Sequence, residues 1–215
     1  MPRLQSINLG TPTVQPGSSE RTGIVKVPRH GPVMVDVEGL VGDAVLNRRH
    51  HGGPDQAIYV YLASDYDWWM KQLGTPLEPG TFGENLTLSG LAGDDLAIGD
   101  QLTIGEVRLE ITYHRTPCAT FARRMRDPGW VKRFHRAGRP GAYCRVLQPG
   151  IIEADVDVFR RPFTGERVTV AELMRHDGVV DLPPDFMRRV LAAPVRLKTR
   201  AKYQALLARL PQESP

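Results

Sequence analysis

The chain has 215 residues, of which 41% are hydrophobic, 24% charged and 7% aromatic. That is enough to bury one sizeable core, and it excludes disordered, collagen-like and disulfide-scaffold classes. Lys+Arg 28 against Asp+Glu 24 gives a formal net charge of +4 and a pI near 9.3, a slight bias toward anionic partners that does not choose between nucleic acid, a membrane surface and phosphate.

Two cysteines, Cys118 and Cys144, are too few for a cysteine-built iron–sulfur cluster or structural zinc site. The opening residues Met1-Pro2-Arg3-Leu4-Gln5-Ser6 carry no apolar run of signal-peptide length. The longest apolar stretches, such as residues 57–63, fall far short of the roughly 20 residues of a membrane span. A soluble, cytoplasmic protein with reduced cysteines and no membrane partner is the expectation.

Gly 21 and Pro 18 are spread along the chain between short segments rich in Val, Ile, Leu and Tyr, the punctuation of a mainly β fold. In chain order, strands are expected at residues 23–27, 32–37, 57–62, 85–88, 101–104, 107–113, 142–147 and 156–160. Residues 107–113 alternate strictly, which predicts one buried and one wet face. Helices should interrupt this region at 65–73, with Ser64-Asp65 as its cap, after Thr116, and at 130–137. Thr116 is the expected N-cap of the second, with Pro117 at the first helical position and Cys118 in the first turn. Beyond Arg161-Pro162-Phe163 the period becomes helical: Thr169-Val170-Ala171-Glu172 reads as a capping box, Pro183-Pro184-Asp185 opens another helix, and 199–210 carries Tyr203, Leu206, Leu207 and Leu210 on one stripe. Two units are expected, a β-barrel over residues 1–163 and a small three-helix module over 164–215.

Charge is unevenly distributed. Residues 1–114 carry a net −6, residues 115–145 a net +8, residues 146–159 a net −3 and residues 160–215 a net +5. Nucleic acid would use the basic window, but the sequence has no recognition-helix, RNP-like or zinc-finger pattern, so it is not the expected partner. A small polyanion beside a reactive sulfur fits better.

Cys118 is the leading candidate for that sulfur. The positive end of a helix, with His114 and Arg115 just upstream, favours a thiolate, which can ligate a soft metal or attack sulfur. Cys144 lies in a strand-like segment and reads as a core residue. In His51-Gly52-Gly53-Pro54-Asp55-Gln56-Ala57, paired glycines permit close backbone approach to an anion, while His51 and Asp55 add a donor and an acceptor. Gly80-Thr81-Phe82-Gly83-Glu84-Asn85-Leu86 suggests a tight loop offering polar groups at a strand start. Gly39-Leu40-Val41-Gly42-Asp43 reads as a turn ordered by its Asp. Trp68 and Trp69, with Tyr66 and Met70, read as packing.

These three motifs together, His51-Gly52-Gly53-Pro54-Asp55-Gln56-Ala57, Gly80-x-Phe82-Gly83-Glu84-Asn85-Leu86 and Thr116-Pro117-Cys118, resemble the MOSC domain, named after the C-terminal domain of molybdenum cofactor sulfurase. The opening Ser6-Ile7-Asn8-Leu9-Gly10-Thr11-Pro12 and the helical tail resemble its bacterial subclass with a trailing three-helix domain, associated with resistance to 6-N-hydroxylaminopurine. The resemblance implies a β-barrel like the C-terminal barrel of pyruvate kinase, with interspersed helices. It implies the molybdenum cofactor (molybdopterin) as ligand, with Cys118 coordinating molybdenum. Gly52, Gly53, Asp55, Phe82, Gly83, Glu84, Asn85, Arg115 and Thr116 would then line the cofactor pocket. The implied reaction is reduction of small N-hydroxylated compounds to amines, with His51 as a possible proton donor. A sulfur carrier holding a Cys118 persulfide is the alternative. The chain's own cysteines cannot hold an iron–sulfur cluster, and no aminotransferase-like segment with pyridoxal phosphate is expected, so electrons would come from a separate ferredoxin- or flavoprotein-type donor.

Overall fold

The structure, a computed structural model, describes residues 1–46, 52–93 and 96–210. In chain order the strands and helices are β1 (Arg3–Gly10), β2 (Thr13–Val14), β3 (Arg21–Thr22), β4 (Lys26–Pro28), β5 (Val33–Asp36), β6 (Gly39–Leu40), a 3-10 turn (Pro54–Gln56), β7 (Ile58–Leu62), α1 (Ala63–Leu73), β8 (Leu86–Ser89), β9 (Gln101–Ile104), β10 (Val107–His114), α2 (Ala119–Arg124), α3 (Trp130–Ala137), β11 (Ala142–Gln148), β12 (Gly150–Ile152), β13 (Val158–Arg161), α4 (Val170–Arg175), α5 (Pro184–Ala192) and α6 (Leu197–Leu207).

Eight strands form one sheet in the order β13-β9-β10-β11-β7-β8-β1-β4. All pairings are antiparallel except β7 with β8, whose connection runs through α1, as a parallel pair requires. The sheet closes on itself: residues 155–158, leading into β13, pair with the start of β1 through the Arg3–Asp157 bridge and the bonds Leu4 N to Val156 O (2.9 Å) and Val158 N to Pro2 O (2.9 Å). Closure pairs the outer side of the β13 segment with β1 and leaves β4 as the strand that ends the sheet. A second sheet, β12-β5-β6, lies beside it.

Leu4 and Ile7 of β1 and the Leu, Ile and Val side chains of β7, β8, β9 and β10 fill the barrel and are completely buried. A second, aromatic cluster lies outside β7, where Tyr59, Tyr61, Tyr66, Trp69, Phe82, Phe121, Trp130 and Phe134 pack together under α1, α2 and α3. Phe82 sits at its centre, 4.6 Å from the Tyr61 ring and 6.0 Å from that of Phe134. This cluster fixes the loops above it, which carry the candidate site.

Three local expectations are corrected. The cap of α1 is not Ser64-Asp65: the helix begins at Ala63, Ser64 Oγ donates to the Leu91 carbonyl, and Asp65 is buried against Arg139 at 2.6 Å. Thr116 does not cap α2. Its hydroxyl donates to Asp177, the chain stays extended through Cys118 (φ −134°, ψ 172°), and Cys118 itself occupies the N-cap position. Finally, the alternation along β10 stops halfway, because Thr112 and His114 on the outer face are buried as well. The helical tail covers them: Arg196 N donates to the Thr112 carbonyl and Asp177 lies 3.9 Å from His114. The capping box of α4 forms as read, with Thr169 accepting from the Glu172 amide. Tail residues Val170, Leu173, Phe186, Val190 and Tyr203 belong to the same hydrophobic cluster as the barrel interior.

Candidate functional site

Lys26, Asp43, Tyr59, Asn85, Arg115 and Cys118, distant in sequence, meet around a cleft of ≈ 140 Å³. Its floor is built from hydrogen bonds between loops. Asn85 accepts from the Tyr59 amide (3.0 Å) and donates to Asp43 (2.8 Å). Asp43 also accepts from the Gly10 amide (2.7 Å) and forms an ion pair with Lys26. Burial lowers the Lys26 pKa while Asp43 pulls it back up, so the charge of Lys26 is spent within the wall.

Arg115 is different. It is 4% exposed and leaves β10 directly into the cleft, where one guanidinium nitrogen donates to the Phe82 carbonyl (2.7 Å). The group lies over the rings of Tyr59 and Phe121, at 5.1 and 4.8 Å. Burial opposes its charge, but Tyr143, Tyr59, Cys118 and Glu84 outweigh burial and raise its pKa. Arg115 is therefore charged, and its Nε finds no hydrogen-bond partner among the described residues. A buried cationic donor without a partner is costly unless a ligand completes it. Arg21 and Arg123, both exposed, add positive charge at the mouth.

Cys118 enters the cleft on the short segment linking Arg115 to α2. It is partly exposed, whereas Cys144 is fully buried in β11, where burial pushes its thiol pKa up. Only Cys118 has the access a ligand or nucleophile needs. Gly83 and Gly52 line the same cleft with φ of 78° and 79°. A Cβ on Gly83 would lie 2.9 Å from Ile24 and 3.4 Å from an Arg115 nitrogen, so this glycine lets the backbone pass close beside the guanidinium.

The structure thus brings Gly52, Gly83, Asn85, Arg115 and Cys118 into one cleft. Others expected there lie elsewhere. Asp55 turns away, pairing with Arg145 of β11 (2.8 Å) and accepting from the Leu197 amide at the start of α6 (2.6 Å). Thr116 is exposed and bonded to Asp177. Gly53 lines a neighbouring depression and precedes the 3-10 turn. Phe82 contributes its carbonyl but buries its ring. Glu84 lies fully buried beneath the floor, accepting from Tyr66 (2.6 Å), the Gly80 amide (2.7 Å) and Thr87 (2.9 Å); burial raises its carboxyl pKa against those hydrogen bonds. His51 lies outside the described residues. Sequence reasoning missed Lys26, Tyr59, Tyr143 and the functional side of Asp43, which no local motif distinguishes from strand and turn residues.

The thiol and the buried arginine face one cleft at an end of the barrel, and residues 47–159 match the MOSC domain. The chain belongs to the MOSC domain family. It is 33% identical to the uncharacterized protein YflK of Bacillus subtilis over 82% of each chain. It is 32% identical over 68% of its length to a protein named "Reductase" from Gibberella moniliformis, of which the matched part is only 27%. Among solved structures, YiiM from Geobacillus stearothermophilus superposes with a TM-score of 0.79 at 27% identity, over 96% of this chain and 100% of that one. No helix among the described residues is long and apolar enough to cross a membrane.

Proposed function

We propose that this protein binds the molybdenum cofactor in the Cys118–Arg115 cleft and reduces small N-hydroxylated compounds to amines. The observation that carries the reading is the pairing of an accessible thiol with a buried, charged arginine whose Nε lacks a partner among the described residues.

The residues present fit the cofactor. Among the described residues no cluster of three His, Cys, Asp or Glu could cage a bare metal ion. A metal that brings its own sulfur ligands needs only one more from the protein, and thiolate is the best-matched side chain for a soft centre. Arg115, with Arg21 and Arg123 at the mouth, suits the cofactor's phosphate, and Gly52 and Gly83 give the backbone room to approach it.

When bound, the cofactor would supply the two-electron redox change, with Cys118 as a metal ligand. The balance of the reaction is R–NH–OH plus two electrons and two protons giving R–NH2 and water. Arg115 would hold the anion and fix its orientation through the Phe82 carbonyl. The Tyr143 hydroxyl, whose pKa is raised by burial and pulled down by Arg115, keeps its proton and would donate a hydrogen bond into the cleft rather than ionise. His51, adjacent in sequence to the cleft-lining Gly52, is the proposed proton donor to the leaving oxygen. The match to part of a longer protein named as a reductase supports redox chemistry over sulfur transfer.

The test is reduction of 6-N-hydroxylaminopurine by reduced methyl viologen, using protein from cells that make the cofactor. Wild type should turn over and Cys118→Ala should not. A persistent added sulfur on Cys118 after incubation with a sulfur donor, without viologen-driven turnover, would replace this reading with a persulfide carrier.

A further inference from the structure

Only part of the basic window at 115–145 serves the cleft. Arg115 and Arg123 line it, whereas Arg139 pairs with Asp65 and Arg145 with Asp55 and Glu110. Arg126, Lys132, Arg133 and Arg136 point outward from the α2–α3 hairpin and are exposed, as is His135. Asp127, paired with Arg133 at 3.5 Å, is the one acidic residue in this stretch.

This face has the anatomy of an interface. The inner side of α3 is anchored by Trp130 and Phe134 in the aromatic cluster, so the outward side chains stand on a rigid support. Val131, half-buried at the centre, separates two shallow depressions: one lined by Pro128, Ala119 and Arg126, the other by Pro117, Lys132 and Arg136. A small apolar centre with a charged rim is what transient protein–protein contacts use. The face also abuts the site. Pro117 in one depression is bonded to Cys118, and Arg123 lines both the cleft and the other depression.

We infer that the α2–α3 face docks an acidic one-electron-transfer protein of ferredoxin type, which delivers electrons to the Cys118 site. The inference rests on the proposed reductase reading. Each turnover takes two electrons, so two reduced donor proteins are oxidised in succession while two protons enter from solvent. A partner that must bind, deliver and leave twice per cycle suits steering by charge, which raises association rates without a large buried area.

The experiment measures 6-N-hydroxylaminopurine reduction by the cofactor-loaded protein with two donors: methyl viologen, and an acidic plant-type [2Fe–2S] ferredoxin kept reduced by its reductase. For Lys132→Glu/Arg136→Glu, ferredoxin-driven turnover at low ionic strength should fall about tenfold, viologen-driven turnover should be unchanged, and added salt should lower the wild-type ferredoxin rate toward that of the variant. Viologen-driven turnover that persists while ferredoxin supports none in wild type, or supports wild type and variant equally, overturns the docking inference and leaves the reductase reading intact. Absence of viologen-driven turnover in wild type removes the reductase reading itself. Binding of duplex DNA at low salt that the double variant loses, with ferredoxin rates equal, assigns the face to nucleic acid instead.

Discussion

Arg115 and His114 are neighbours in sequence and opposites in electrostatics. The first keeps its charge in a buried place because Tyr143, Tyr59, Cys118 and Glu84 surround it. The second turns to the other side of β10, is fully buried, and has both ring nitrogens without hydrogen-bond partners among the described residues. Burial lowers the His114 pKa from 6.5 to about 4, against raising influences from the neighbouring Arg115 backbone and, after it, Asp177. The unfolded chain therefore takes up a proton that the folded chain refuses as pH falls from 6.5 to about 4. Stability contributed by neutral His114 is present above this window and lost across it, on the order of 3 kcal/mol at its acid end. Urea unfolding at several pH values should show this loss in wild type, and His114→Gln should flatten it over that window. Parallel pH profiles would contradict the assignment to His114.

At the scale of elements, the site depends on loops held in unusual backbone conformations by the strands beneath them. Gly83→Ala is expected to impair cofactor retention as well as stability. Its φ of 78° strains any side chain, and a Cβ would meet Ile24 at 2.9 Å and crowd an Arg115 nitrogen at 3.4 Å. A lowered melting temperature together with a lower molybdenum content in the protein that remains folded is the predicted outcome, and unchanged content would contradict it. Some elements could be read directly: β9 at Gln101–Ile104 and α3 at Trp130–Ala137 have the expected bounds, because turn residues flank an apolar strand and an aromatic helix face. Strand β1 could not. Its buried positions include Ser6 and Asn8, which bond to each other and to Thr87, so a polar network stands where the apolar period would appear. The start of α2 was misplaced for a similar reason: Thr116 bonds to Asp177, 61 residues away, instead of capping its own helix. Of the cleft's lining, Gly52, Gly83, Asn85, Arg115 and Cys118 could be picked out because they sit in compact motifs. Lys26, Tyr59 and Tyr143 were not, since only the barrel's long-range pairing brings them together.

Across the whole molecule, one hydrophobic cluster runs from the barrel interior into the helical tail. The tail also reaches the site region: Arg196 lies over Tyr113 at 3.3 Å, and Asp55, beside the cleft's Gln56, is bonded to Arg145 and to the start of α6. The charge distribution follows the same division of labour. Arg115 and Arg123 of the basic window and Arg21 of β3 line the cleft, Arg139 and Arg145 are held in ion pairs, and Arg126, Lys132, Arg133 and Arg136 form the outward α2–α3 surface. The formal +4 therefore conceals a local concentration of cations, some at the cleft and some on the α2–α3 face.

The proposed occupant of the Cys118–Arg115 cleft is the molybdenum cofactor. The most direct test of this proposal is elemental analysis of protein purified from cells that make the cofactor, comparing wild type with Arg115→Gln. Stoichiometric molybdenum in wild type and strongly depleted metal in the variant is the predicted result. Wild-type protein that is folded but free of molybdenum would contradict the account.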